Sequence, residues 1–166
     1  MASVILGIDQ ATHTGFAVIA ESGEIIVSGT KTFSSKVGLR LCEFEQWFSE
    51  LLRTHTPIMV VYEKPHFRGY DSTVSCVGLV AEMLKCSAIT GTPLRGVHSA
   101  TLKSFATGYG KASKADMTTA ANEATHSKLN AKENNDEADA IHLARYGWEV
   151  LSKEENKSKC RGKKRK

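Results

Sequence analysis

Two short apolar runs, Val4-Ile5-Leu6-Gly7-Ile8 and Ile58-Met59-Val60-Val61-Tyr62, each end at an acid, Asp9 in the first and Glu63 in the second. A run that is apolar at every position, rather than at every other one, suits a strand covered on both faces, and such strands belong to sheets flanked by helices. The two acids then stand where buried strands run out.

The rest of the chain supplies the other elements. Three β-rich segments come first, Val4 to Asp9, Gly15 to Ala20 and Glu24 to Phe33, parted by turn-forming stretches that contain Gly15 and Ser22-Gly23, and they form an antiparallel meander. Val37, Leu41, Phe44, Phe48, Leu51 and Leu52 recur at helical spacing and predict an amphipathic helix that ends before Pro57. After the strand Ile58 to Glu63 comes a polar, aromatic loop from His66 to Asp71, then a helix from Ser72 to Thr90 rich in small and apolar residues. Leu94 to Val97 is a short strand, Ser99 to Phe105 a short helix, and Thr107 to Ala112 a glycine-bearing loop. Ser113, with Asp116 three residues on, has the pattern of a capping box with Asp in place of Glu or Gln, opening a helix toward Thr125. A polar loop from Lys128 to Asn135 leads to a last helix from Asp136 to Leu151. The predicted fold is α/β, a mixed sheet of three antiparallel strands plus parallel ones, flanked by helices.

At the start of that last helix, Asp136 and Asp139 stand three residues apart, a step that stacks two carboxylates on one face. Such a pair repels by roughly a few tenths of a kcal/mol on an exposed helix and by more when buried, which suggests a hard cation such as Mg2+ or Mn2+. With Asp9 and Glu63 at strand ends, four acids could converge at one sheet edge. That is the equipment of two-metal phosphodiester hydrolysis, in which the protein need supply no covalent nucleophile. Taken singly, Asp136 could cap its helix and Asp9 could start a turn. That all four fall at element ends favours a shared site.

At 166 residues the chain has room for one core without staples, and 41% hydrophobic with 24% charged residues is usual for a soluble globular protein. No apolar stretch approaches the roughly 20 residues of a membrane span. Met1 to Gln10 lacks the basic start and long apolar centre of a secretory signal. An intracellular protein with no membrane partner is therefore expected. Cys42, Cys76, Cys86 and Cys160 lack zinc-type pairing and are expected as free thiols, most of them core filling. The net charge of +4 is unevenly spread: from Ser152 onward eight Lys and Arg face only Glu154 and Glu155, a balance of +6 that leaves −2 on the body. A folded domain over 1–151 and a basic, unstructured tail over 152–166 are expected. The tail either touches nucleic acid or merely keeps the chain soluble.

Four blocks taken together resemble a known family. Gly7-Ile8-Asp9 with Thr14-Gly15-Phe16-Ala17-Val18, then Val61-Tyr62-Glu63, then Lys103 with Gly108-Tyr109-Gly110-Lys111-Ala112 and Lys114, then Asp136-Glu137-Ala138-Asp139-Ala140, occur in the order found in RuvC-type Holliday junction resolvases of the RNase H-like superfamily. The resemblance spans nearly the whole chain up to about Trp148. It implies that Asp9, Glu63, Asp136 and Asp139 are catalytic, metal-binding acids holding Mg2+ or Mn2+, two ions per active site. It implies further that Lys103 and Lys114 contact the scissile backbone, with Lys111 and Arg68 as additional DNA contacts. An aromatic wedge follows the second acid in that family. Phe67 is the candidate here, with His66 and Tyr70 as alternatives, and a Phe67 tucked into the core is the competing arrangement. The implied enzyme is a homodimeric endonuclease that resolves four-way DNA junctions by paired, symmetric nicks.

The chain also departs from the family. Gln10-Ala11 follow Asp9 where Pro-Gly is common, and the turn to Gly15 is a residue shorter than in many bacterial members, which resembles phage-type relatives. His142, one turn past Asp139, is a further ligand, a proton shuttle, or a core or surface histidine. The competing functions are a broader branched-DNA or RNA–DNA hybrid nuclease of the same superfamily and a junction-binding protein without catalysis. Gly7-Ile8-Asp9 with Thr14-Gly15 also resembles the first phosphate loop of actin-like ATPases and sugar kinases, but the chain has no room for their second loop and domain. The sequence identifies no helicase partner.

Overall fold

The computed structural model describes residues 3–66 and 69–163. A meander of β1 (Val4–Asp9), β2 (His13–Ala20) and β3 (Ile25–Thr32) is followed by α1 (Val37–His55), β4 (Met59–Glu63), α2 (Tyr70–Thr90) and β5 (Leu94–Val97). Then come α3 (Ser99–Thr107), α4 (Lys114–Thr125) and α5 (Asn135–Lys163). The strands form one mixed sheet in the order β3-β2-β1-β4-β5, with the meander antiparallel and β1-β4-β5 parallel.

The apolar runs become inner strands covered on both faces, as their patterning requires. Leu6 and Ile8 of β1 and Val60 of β4 pack with Phe44 and Phe48 of α1 and Leu79 and Met83 of α2. Ile5 and Val61 point the other way, into a second core with Ala140, Ile141 and Ala144 of α5 and Met117 of α4. Side chains alternate along a strand, so this parity fixes the acids too: Asp9 follows Ile5 and Gly7, and Glu63 follows Met59 and Val61, on the α5 face.

Helix α5 lies on the sheet at backbone contact. A Cβ on Gly7 would come within 2.1 Å of the Ala140 carbonyl oxygen, and one on Gly15 within 1.9 Å of that of Asp136. Neither position admits a side chain. Gly15, assigned to a turn by the sequence reading, instead sits inside β2, where it fixes how closely the first turn of α5 can approach. The turn is tighter: Thr14 Oγ1 donates to the Ala11 carbonyl at 2.7 Å and accepts from the Ala11 N–H at 3.2 Å, which lets β2 begin at His13.

Three other expectations change. Helix α5 runs past Leu151 to Lys163, so the described residues of the expected tail, 152–163, are helical; Glu149 pairs with Lys153 at 2.8 Å one turn on, and Arg95 of β5 holds Glu154 at 2.8 Å. By length and composition α2 is apolar enough to cross a membrane, which the sequence reading excluded for every stretch of the chain. Its buried stripe, Ser75, Leu79, Met83 and Cys86, faces the protein, whereas Val74, Val77 and Leu84 are exposed. Among the described residues Cys86 fills core, Cys42 is exposed and Cys76 is half-buried; the side chain of Cys160 lies outside the described residues.

Candidate functional site

The parallel strands β1 and β4 end side by side, their ladder closing at the pair Ile8 and Tyr62, and Asp9 and Glu63 are the next residue on each. Both lie on the face that α5 covers. Helix α5 begins against Gly15, the β2 partner of Asp9, so its first turns bring Asp136 and Asp139 to the same edge. All four expected acids thus lie within electrostatic reach of one another.

Their chemistry shows it. Burial first, and then the charges of Asp139, Glu63 and Asp136, push the Asp9 carboxyl well above the usual carboxylate range, with Lys114 pulling weakly the other way. Asp139 is pushed up to about 7 by burial, Glu63 and Asp136, against the opposing pull of Lys114 and Lys103. Four carboxylates so placed carry more negative charge than the site can solvate. As they stand, no three His, Cys, Asp or Glu side chains among the described residues are close enough to hold an ion between them.

The donor chemistry fits a hard divalent cation. Every candidate donor is oxygen, and hard cations take carboxylate and carbonyl oxygens. Gln10, the residue after Asp9, is 7% exposed, and its Oε1 is buried with no hydrogen-bond partner among the described residues. A buried acceptor on the residue next to Asp9 is one that a water entering with a cation would satisfy.

The basic residues arrive from the next layer. Lys103 lies half-buried on α3, which follows β5 at the same sheet edge. Gly108 ends α3 in the left-handed conformation, φ +78°, with its N–H bonded to the Ser104 carbonyl at 2.9 Å. The capping box forms as expected: Asp116 N–H donates to Ser113 Oγ at 3.2 Å, and Ser113 N–H to Asp116 Oδ2 at 2.8 Å. It fixes the entry into α4, whose first residue is Lys114. Lys111 is exposed on the intervening loop.

The remaining candidates separate. His66 Nε2 lies 3.6 Å from Glu63 Oε1 on an exposed side chain. Tyr70 is not in a loop but opens α2, 83% exposed. Phe67 and Arg68 lie outside the described residues. His142 is a core residue: Nε2 bonds the Met117 carbonyl at 2.9 Å and Nδ1 lies 3.2 Å from Arg145 Nη1. Burial pushes its pKa down, and the neutral ring ties α5 to α4. Sequence reasoning did not single out Gln10, which bonds the Glu63 backbone carbonyl, although its break from the family pattern was the available signal.

No family model matches the chain. It is 31% identical over 146 residues to the crossover junction endodeoxyribonuclease RuvC of Burkholderia mallei, covering 84% of this chain and 80% of that protein. The RuvC of Paraburkholderia phytofirmans is 31% identical over 119 residues, 68% of this chain and 66% of its own. Among solved structures, Thermus thermophilus RuvC in complex with a Holliday junction substrate superimposes with a TM-score of 0.75 at 21% identity, covering 86% and 90% of the two chains. The yeast mitochondrial Holliday junction resolvase Ydc2 gives 0.64 at 15% identity, covering 89% and 78%. Both share this fold.

Proposed function

The chain belongs to the RuvC family of crossover junction endodeoxyribonucleases, and from that premise we propose that it resolves four-way DNA junctions by paired, symmetric nicks, with Asp9, Glu63, Asp136 and Asp139 as its catalytic acids. Family membership makes it a metal-dependent endodeoxyribonuclease that binds branched DNA. The observation that carries the site is the gathering of four carboxylates on the α5 face of one sheet edge, with burial and mutual repulsion raising Asp9 and Asp139.

When bound, Mg2+ or Mn2+, two ions per site, would supply Lewis-acid neutralisation of the scissile phosphate and activation of water. The chain's own part is to hold the donors. Asp9 and Glu63 are fixed by adjacent strand ends, and Asp136 and Asp139 by a helix that cannot shift away from Gly7 and Gly15 without losing its packing. Lys114, whose charge is felt by both Asp9 and Asp139, and Lys103, felt by Asp139, bind the backbone at the cut and offset the charge that grows on it. Lys111 extends this basic rim. Phe67 and Arg68 are proposed on sequence alone, as the wedge into the opened junction and a neighbouring backbone contact.

Two nicks on opposite strands require two sites, hence a homodimer. Helix α2 offers the surface, since Val74, Val77, Ala81, Leu84 and Ala88 recur three and four residues apart and all are exposed. The segment 152–166 is proposed as a basic extension that adds salt-dependent DNA affinity.

The test is nick mapping with Mg2+ on a labelled four-way junction, a flap and an RNA–DNA hybrid. Paired nicks confined to the junction are expected. Equal cutting of flap or hybrid would move the function to a broader nuclease of the same superfamily.

A further inference from the structure

Past the end of the β1–β4 ladder, one side chain continues the tie between the two acid-bearing strands. The last paired residues are Ile8 and Tyr62, so Asp9 and Glu63 themselves have no ladder bond between them. Gln10 Nε2 donates across that gap to the Glu63 backbone carbonyl at 2.5 Å. The orientation of the amide follows from chemistry: a carbonyl only accepts, so the nitrogen must face Glu63 and Oε1 the other way. There Oε1 is buried and unpartnered among the described residues. Beyond Glu63 the strand is anchored again, Lys64 N–H donating to the Val97 carbonyl of β5 at 2.8 Å. Glu63 is therefore held on one side by β5 and on the other by the end of the β1 ladder and by Gln10.

We propose that Gln10 is a positioning residue for the cation site: its amide N–H fixes the end of β4 against the end of β1, setting the spacing of the Asp9 and Glu63 carboxylates, and its free Oε1 takes a hydrogen bond from water that enters with the cation. The inference rests on the acids being the metal ligands, as proposed above. A buried amide oxygen without a partner is costly, and a water in the working state would relieve that cost. Pro at this position would have no side-chain donor for the Glu63 carbonyl.

The experiment is calorimetric titration of DNA-free protein with Mn2+, with thermal unfolding in EDTA and in saturating Mn2+, for the wild type, Gln10→Met and Asp9→Asn. Methionine keeps the length and volume of Gln10 and removes both hydrogen-bonding groups. Groups that hold ligands in place typically govern affinity by 10- to 100-fold, so Gln10→Met should weaken Mn2+ binding by about tenfold or more. Its melting point in EDTA should change little, and the Mn2+-induced rise should shrink. On junction DNA, kcat should fall with KM unchanged. Unchanged Mn2+ affinity in Gln10→Met, with melting lowered equally in EDTA and Mn2+, would overturn the inference and leave Gln10 a structural tie. Asp9→Asn separates the two levels. If it loses Mn2+ while Gln10→Met binds normally, the inference alone fails; if it binds as the wild type does, the site reading fails and the inference with it.

Discussion

Replacing Asp139 with Asn should make the metal-free protein more stable. In the folded chain the Asp139 carboxyl is pushed up to about 7, from 3.8 as a free side chain, by burial and by Glu63 and Asp136. A carboxyl raised in this way binds its proton more tightly folded than unfolded, so its ionisation costs stability progressively as pH rises from about 4 to about 7. At about pH 8 the cost is the full difference, on the order of 4 kcal/mol, and at about pH 5 it is under about 2 kcal/mol. Asparagine keeps the shape and carries no charge, so Asp139→Asn recovers this amount at high pH and less at low pH. For a domain of this size each kcal/mol is worth about 2–4 °C, so melting in EDTA should rise by about 8 °C or more at pH 8 and by less than half as much at pH 5. The assay is thermal unfolding followed by circular dichroism at the two pH values. A variant no more stable than the wild type, or equally stabilised at both, would show that the acids are not crowded as described. The same variant should gain little from Mg2+, since the stability forgone by the wild type is what a cation restores.

Other perturbations probe separate parts of the account. Gly15→Ala places a Cβ 1.9 Å from the Asp136 carbonyl oxygen, so it should cost about 3 kcal/mol in chemical denaturation and reduce cutting with it; an unaffected midpoint would mean that α5 is free to retreat. Lys114→Ala should slow junction cutting by about tenfold or more while the junction Kd moves far less, because the lysine acts on charge that develops during the reaction; equal losses would reduce it to a general phosphate contact. Val77→Asp, in the exposed stripe of α2, should yield monomers by solution mass measurement with secondary structure intact, and an unchanged dimer would remove α2 from the interface.

How much of this was legible in the sequence depends on how local its cause is. Strands β1 and β5 and the capping box of α4 follow from apolar runs and cap chemistry within a few residues, and they form at the positions read from the chain. The placement of the acids at element ends was equally visible, because a buried strand must end where a charge begins. The role of Gly15 was not. A glycine needed for a turn and one needed so that a helix can touch a strand look alike until the partner, here Asp136 from the far end of the chain, is known. Gln10 was visible only as a departure, since its bond to the Glu63 carbonyl joins residues 53 positions apart. The charge of the basic stretch suggests solvation, whereas Lys and Glu are also good helix formers and carry α5 on as far as Lys163. His142 resolved on burial alone, which no short motif encodes.

The most direct test of the central claim is cleavage of a synthetic four-way junction and a matched linear duplex by the wild type and Asp9→Asn, in Mg2+ and in EDTA, with junction binding measured alongside. The account predicts paired nicks in the junction alone, only with Mg2+, abolished in Asp9→Asn while binding is kept or tightened by the lost negative charge. Cutting by Asp9→Asn in Mg2+, or by the wild type in EDTA, would contradict it.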